Sequence, residues 1–102
     1  MPADQAYSRV VQIHFPDGMH LRPATLIAQE ARKYQAEVFV TYRDRRASAR
    51  NVFDMLTLGV EKGEQVTLEA ADGEDARAAV DALAKLFSPE QAELFINGDD
   101  PA

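Results

Sequence analysis

Gly18-Met19-His20-Leu21-Arg22-Pro23-Ala24 is the stretch whose residue types and spacing best support chemistry. It places a histidine at the predicted first residue of a helix, an arginine two positions on, and a proline within the first turn. Helix N-termini present N–H groups that have no intrahelical acceptor and carry the positive end of the helix dipole, so they attract anions. An imidazole with a pKa of about 6.5 is largely neutral and nucleophilic near pH 7. The N–H groups of Leu21 and Arg22, with the Arg22 guanidinium, can donate to the oxygens of a phosphoryl group brought to His20. Pro23 stiffens the turn where its missing N–H is of no consequence. Gly18 leaves room for a tight approach to the helix start. The competing reading of His20 is an ordinary surface or capping histidine. His14 falls in the outward set of a strand and is assigned no chemistry.

The elements that position this stretch follow from the pattern of apolar residues. Ser8 to Phe15 alternates, with Val11, Ile13 and Phe15 on one face and Val10, Gln12 and His14 on the other, which predicts a strand covered on one side. Pro16-Asp17-Gly18 predicts a turn. Ala24, Ile27, Ala28 and Ala31 form an inward stripe on a helix predicted over 21–34. A second strand is expected over 37–43, with Val38 and Val40 inward and Phe39 on the outer face. Asp44-Arg45 is then a hairpin turn before a short third strand over 46–49. Asn51 caps a short helix over 52–58. Gln65 to Ala70 is a fourth strand, with Val66 and Leu68 inward, and 74–87 is a helix striped by Ala76, Ala79, Val80, Leu83, Leu86 and Phe87. Ser88-Pro89-Glu90-Gln91 has a capping-box pattern that allows one more short helix over 89–95. Asn97 to Ala102 reads as a loose tail.

The order β-α-β-β-α-β-α, with strands apolar on one face only, predicts an α+β fold, an open two-layer sandwich. The 102 residues, 46% of them hydrophobic, suffice for one domain, expected over 1–88 with a C-terminal extension over 89–102. A net charge of −6 disfavours nucleic acid as a partner. Arg43, Arg45, Arg46 and Arg50 form a local basic cluster suited at most to steering an acidic partner. No apolar run is long enough to span a bilayer, and Met1 to Gln5 does not read as a signal peptide. The chain has no cysteine, which excludes disulfides, and with only two histidines besides no structural zinc site is expected. No cofactor is expected.

The chain resembles the HPr family, the histidine-containing phosphocarriers of the bacterial sugar phosphotransferase system. Two separated segments carry the resemblance: residues 18–24, quoted above, and Ala47-Ser48-Ala49-Arg50-Asn51-Val52-Phe53-Asp54-Met55-Leu56-Thr57-Leu58-Gly59-Val60. The resemblance spans about Ser8 to Phe87. It implies a four-stranded antiparallel sheet with three helices on one face. It implies that His20 accepts a phosphoryl group on Nδ1 from enzyme I, itself phosphorylated from phosphoenolpyruvate, and passes it to an enzyme IIA. It assigns Val52, Phe53 and Leu56 to a partner-binding patch, although the same residues can serve as core of the short helix. On this reading the protein is a cytoplasmic, monomeric, stoichiometric carrier in sugar uptake and not a turnover enzyme.

Two residues depart from the family pattern. Asn51 stands where many Gram-positive members carry a regulatory serine, so that switch is not expected. Asp54 places an acid where a basic or small residue is often found, which bears on the choice of partner. Two alternatives stay open: a regulatory, nitrogen-branch type of HPr-like phosphoprotein, and an interaction module of the same fold that carries no phosphate.

Overall fold

Alternating side chains set the sheet, and the helices cover one of its faces. A computed structural model describes residues 7–71 and 73–96. The leader Met1 to Gln5 and the tail Asn97 to Ala102 lie outside the described residues. The elements are β1 (Tyr7–Gln12), α1 (Leu21–Ala31), β2 (Val38–Tyr42), β3 (Arg45–Ser48), α2 (Val52–Leu56), β4 (Gln65–Ala70), α3 (Ala76–Leu86) and α4 (Pro89–Ile96). The strands form one antiparallel sheet in the order β1-β4-β2-β3.

The register sorts the side chains by face. Val11 pairs with Val66, and Leu68 and Val40 with Ala47 continue the apolar side. Val38, Val40, Val66 and Leu68 are buried, as are Ile27, Ala28, Val80 and Leu83 of the helices. The opposite row, Val10-Thr67-Thr41-Arg46, has no buried residue, and Val10 is 62% exposed. Phe39 lies on this outer face as expected. The Arg46 guanidinium lies 3.9 Å from its ring centroid, which shelters the ring without burying it.

The predicted elements all form, and their differences in extent have physical causes. β1 stops at Gln12, where the chain leaves the β1–β4 ladder: Ile13 N–H bonds the Glu64 carbonyl at 2.8 Å, and Gly63 N–H returns to the Ile13 carbonyl at 2.8 Å. Ile13 and Phe15 still turn inward and are buried. α1 ends at Ala31, where the ladder tightens: Lys33 N–H bonds the Glu30 carbonyl at 3.1 Å and Tyr34 N–H the Ala31 carbonyl at 3.3 Å, and beyond them the Tyr34 and Gln35 carbonyls accept Arg50 Nη2 at 2.7 and 3.0 Å. The hairpin turn falls on Arg43-Asp44, with Arg43 at φ 58 and Tyr42 paired to Arg45. A left-handed residue at the first turn position matches the twist of the flanking strands. α2 is shorter than predicted because the chain tightens after Leu56, where Thr57 N–H is shared between the Phe53 and Asp54 carbonyls. Among the described residues the helices number four, since 89–96 is helical: Ser88 Oγ accepts Gln91 N–H at 3.3 Å, and Ala92 is buried.

The loop between α1 and β2 is held from both sides. Asp75, just before α3, accepts the N–H groups of Gln35 and Ala36 at 2.8 and 2.9 Å. Those two donors are what hold its carboxyl below the usual aspartate range. Arg50 therefore has a structural task and is not available for steering; Arg43 is paired with Glu64 at 3.2 Å.

Because the Asp75 pKa is lower in the folded chain, its contribution to stability is complete above the unfolded aspartate value of about 3.9. That contribution disappears as pH falls through the folded value. Asp75→Asn is expected to lower the thermal midpoint at pH 7 and to flatten the acid limb of the stability curve below about pH 4. Calorimetry from pH 2 to 7 checks both effects.

Candidate functional site

Residues 15–19 aim the head of α1. Gly18 N–H bonds the Phe15 carbonyl at 2.9 Å and closes the predicted turn. Met19 N–H then bonds the Val60 carbonyl at 3.0 Å, and the Met19 side chain is buried. Gly18 has φ 74, and a Cβ there would stand 2.5 Å from the Val60 carbonyl oxygen. The room that Gly18 provides is therefore for the Val60–Glu61 backbone, not for the helix start itself. The Val60 side of this clamp is held in turn. Glu64 accepts Glu61 N–H at 2.9 Å and the Tyr42 hydroxyl at 2.7 Å, and these donors keep its carboxyl below the usual glutamate range.

His20 is the N-cap of α1, immediately before the first helical residue Leu21 and not itself helical, with extended backbone at φ −117 and ψ −172. Its side chain makes no capping bond, so the imidazole is not used to satisfy the helix end. The ring is half-buried. Nε2 is shut off from solvent and has no hydrogen-bond partner among the described residues, whereas Nδ1 is the nitrogen left accessible. The helical ladder begins with Ala24 N–H to the His20 carbonyl at 3.0 Å. Leu21 and Arg22 thus supply the two amides ahead of it, and buried Pro23 occupies the third helical position, where no intrahelical donor is required.

The Arg22 guanidinium carbon lies 5.1 Å from the centroid of the Phe95 ring, and the His20 imidazole stands nearly perpendicular to the same ring with centroids 6.0 Å apart. Leu21, Arg22, Thr25, Leu26 and Phe95 line a largely apolar depression of about 280 Å³. Its leucines are open to solvent, Leu21 at 56% and Leu26 at 40%.

α2 packs against α1. Asn51 caps it by accepting Asp54 N–H at 3.0 Å, as expected of that residue type. Of the three patch candidates, Phe53 is 73% exposed, while Val52 and Leu56 are half-buried and packed against the core. Met55 is the α2 residue that is fully enclosed. Asp54 is exposed in the first turn. Among the described residues no group of histidine, aspartate and glutamate is arranged to hold a metal, and no helix is long and apolar enough to cross a membrane.

The profile of the PTS-HPr family, described as "PTS HPr component phosphorylation site", matches residues 7–88. The chain belongs to the HPr family. It is 39% identical over 81 residues to the phosphocarrier protein HPr of Vibrio cholerae serotype O1, covering 79% of this chain and 94% of that protein. The HPr of Haemophilus influenzae is 39% identical over the same shares. Among solved structures, HPr from Bacillus anthracis str. Ames superposes with a TM-score of 0.76 at 28% identity, covering 81% of this chain and 98% of that one. HPr-C-His from Thermoanaerobacter tengcongensis gives 0.75 at 31% identity, covering 79% and 90%. The open-faced α+β sandwich is thus the HPr fold, with α4 lying beyond the matched span.

Sequence reasoning singled out His20, Leu21 and Arg22, and the fold brings them together at one helix end. It missed Phe95, because the motif lies at 18–24 and nothing in local periodicity says where the last helix docks. Leu21 and Leu26 carried a signal that went unread: both are leucines off the inward stripe of α1.

Gly18→Ala is expected to cost about 2 kcal/mol, from the positive φ together with the Val60 contact. Urea denaturation checks the stability loss, and amide shifts at Met19 and His20 check that the head of α1 has moved.

Proposed function

We propose that this chain is a phosphocarrier of the phosphotransferase system. Its His20 Nδ1 takes a phosphoryl group from enzyme I, which has been charged by phosphoenolpyruvate, and hands it to an enzyme IIA. The observation that carries the reading is an imidazole at the head of α1 that makes no capping bond and leaves Nδ1 accessible, within the span the family profile matches. In the transfer onto His20 the Nδ1 lone pair forms the bond to phosphorus as the bond to the donor breaks, and the donor keeps that electron pair. The return step reverses these roles at the acceptor. The Leu21 and Arg22 amides and the Arg22 guanidinium stabilise the equatorial oxygens. The carrier works in the cytoplasm, where both partners must meet it. A monomer suits the fold, because the helices already cover the apolar face of the sheet.

The docking patch is drawn from the exposed apolar residues of the two packed helices, led by Phe53 from α2 with Leu21 and Leu26 from α1. Exposed apolar groups that flank a reactive residue mark docking surfaces. Asp54, exposed next to Phe53, favours partners that present a basic rim. That residue supports a second reading, a regulatory HPr that still carries phosphate on His20 but serves a different acceptor.

Incubation with phosphoenolpyruvate and enzyme I is expected to add one acid-labile phosphate, absent in His20→Ala. Mass spectrometry before and after acid treatment checks this, and labelling that survives the substitution overturns the proposal. Arg22→Ala is expected to lower kcat/KM for phosphorylation on the order of 10- to 100-fold. Phe53→Ala is expected to raise the KM for enzyme I several-fold with kcat kept, a separation that steady-state kinetics can read.

A further inference from the structure

Orientation of the reacting ring is unexplained by hydrogen bonding. The His20 imidazole has no hydrogen-bond partner among the described residues, yet Nε2 is enclosed and Nδ1 is not. Packing must therefore set the ring, and the aromatic contact on it comes from α4, outside the span matched by the family profile. The Phe95 ring is nearly perpendicular to the imidazole, and Arg22 stacks its guanidinium over that ring.

Phe95 is not a loose surface side chain. It meets Phe15 edge-on at 5.6 Å, and Phe15 packs on Phe87 at 5.7 Å. Phe15 and Phe87 are both buried. A run of three phenyl rings thus leads from the core to the two residues assigned to phosphate. The Ser88 cap and buried Ala92 anchor the helix that delivers the last ring.

We infer that Phe95 is a positioning residue, contributed by the C-terminal helix, that holds the His20 ring with Nδ1 outward and holds Arg22 beside it. The inference rests on the reading of His20 as phosphoacceptor. An in-line transfer tolerates little wandering of the attacking atom, and restricting a ring that no hydrogen bond restrains is worth rate. A flat ring can do this without an acceptor on Nε2, because edge-to-face packing favours one relative orientation.

The test uses the full chain and its Phe95→Ala, Phe95→Leu and Phe95→Tyr variants. In the unsubstituted chain, NMR of the nitrogen-15-labelled imidazole is expected to show an Nε2–H resonance protected from exchange with water. Phe95→Ala should lose that resonance to exchange, and Phe95→Tyr should keep it. In single-turnover phosphorylation by enzyme I, Phe95→Ala should fall about tenfold in the rate at saturation, with the half-saturating enzyme I concentration changed less than twofold. Phe95→Leu keeps apolar contact with Phe15 and so guards against simple loss of α4; it should resemble Phe95→Ala. An Nε2–H signal and a rate unaltered by Phe95→Ala overturn the inference. So does a rate that rises, which would make the ring a cover and not a support. Absence of phosphate on His20 in the unsubstituted chain would defeat the functional reading, while the exchange measurement would still decide whether Phe95 sets the ring.

Discussion

A single backbone hydrogen bond, from Met19 N–H to the Val60 carbonyl, fixes the direction in which α1 begins. It exists because Gly18 adopts a left-handed φ and carries no Cβ, so two strands of backbone can lie against each other. Everything at the site inherits its direction from that clamp. His20 becomes the cap, its carbonyl starts the helical ladder, and Leu21 and Arg22 carry the first two amides of the helix. The other half of the clamp is no looser. Glu64 ties the 61–64 turn to Tyr42 on β2, so the sheet itself holds Val60.

The charged residues divide into those that brace loops and those that face solvent. Arg50 and Asp75 approach the α1–β2 loop from opposite sides, one donating to its carbonyls and the other accepting its amides. Buried or half-buried backbone groups outside helices and strands need such partners, since each one left unmade costs more than an average bond contributes. The basic cluster of the hairpin is thereby divided. Arg50 is structural, Arg43 is paired with Glu64, Arg46 shelters Phe39, and Arg45 is left exposed.

The proposed transfer at the head of α1 would need two opposed properties, an open nitrogen and a ring that does not wander. The backbone supplies the first by placing His20 at a cap position with extended φ and ψ. Side-chain packing is proposed to supply the second, and the Phe95 ring that stands against the imidazole belongs to α4. Leu21 and Leu26 of α1 and Phe53 of α2 are exposed, while Ile27 and Met55 of the same two helices are buried. Exposure and rigidity coexist because the same helices face the core with one stripe and solvent with the other.

The pattern of residues by itself determined which faces are covered. Period-two alternation placed Val38, Val40, Val66 and Leu68 inward, and the α1 and α3 stripes followed from 3.6-residue spacing, because both periods are properties of the local backbone. Asn51 as a cap and Ser88 as the start of a last helix were legible for the same reason, since a cap bonds only to amides two or three residues away. Element ends were less legible. The chain that follows α1 is held by Arg50, and the end of β1 depends on Glu64 and Gly63, partners far along the chain. Only the tertiary structure decided that Gly18 serves Val60, that Phe53 faces solvent while Val52 and Leu56 lean on the core, and that Phe95 meets His20 and Arg22. Each of these is a contact between segments distant in sequence, set by how the helices pack, and no local rule of spacing encodes it.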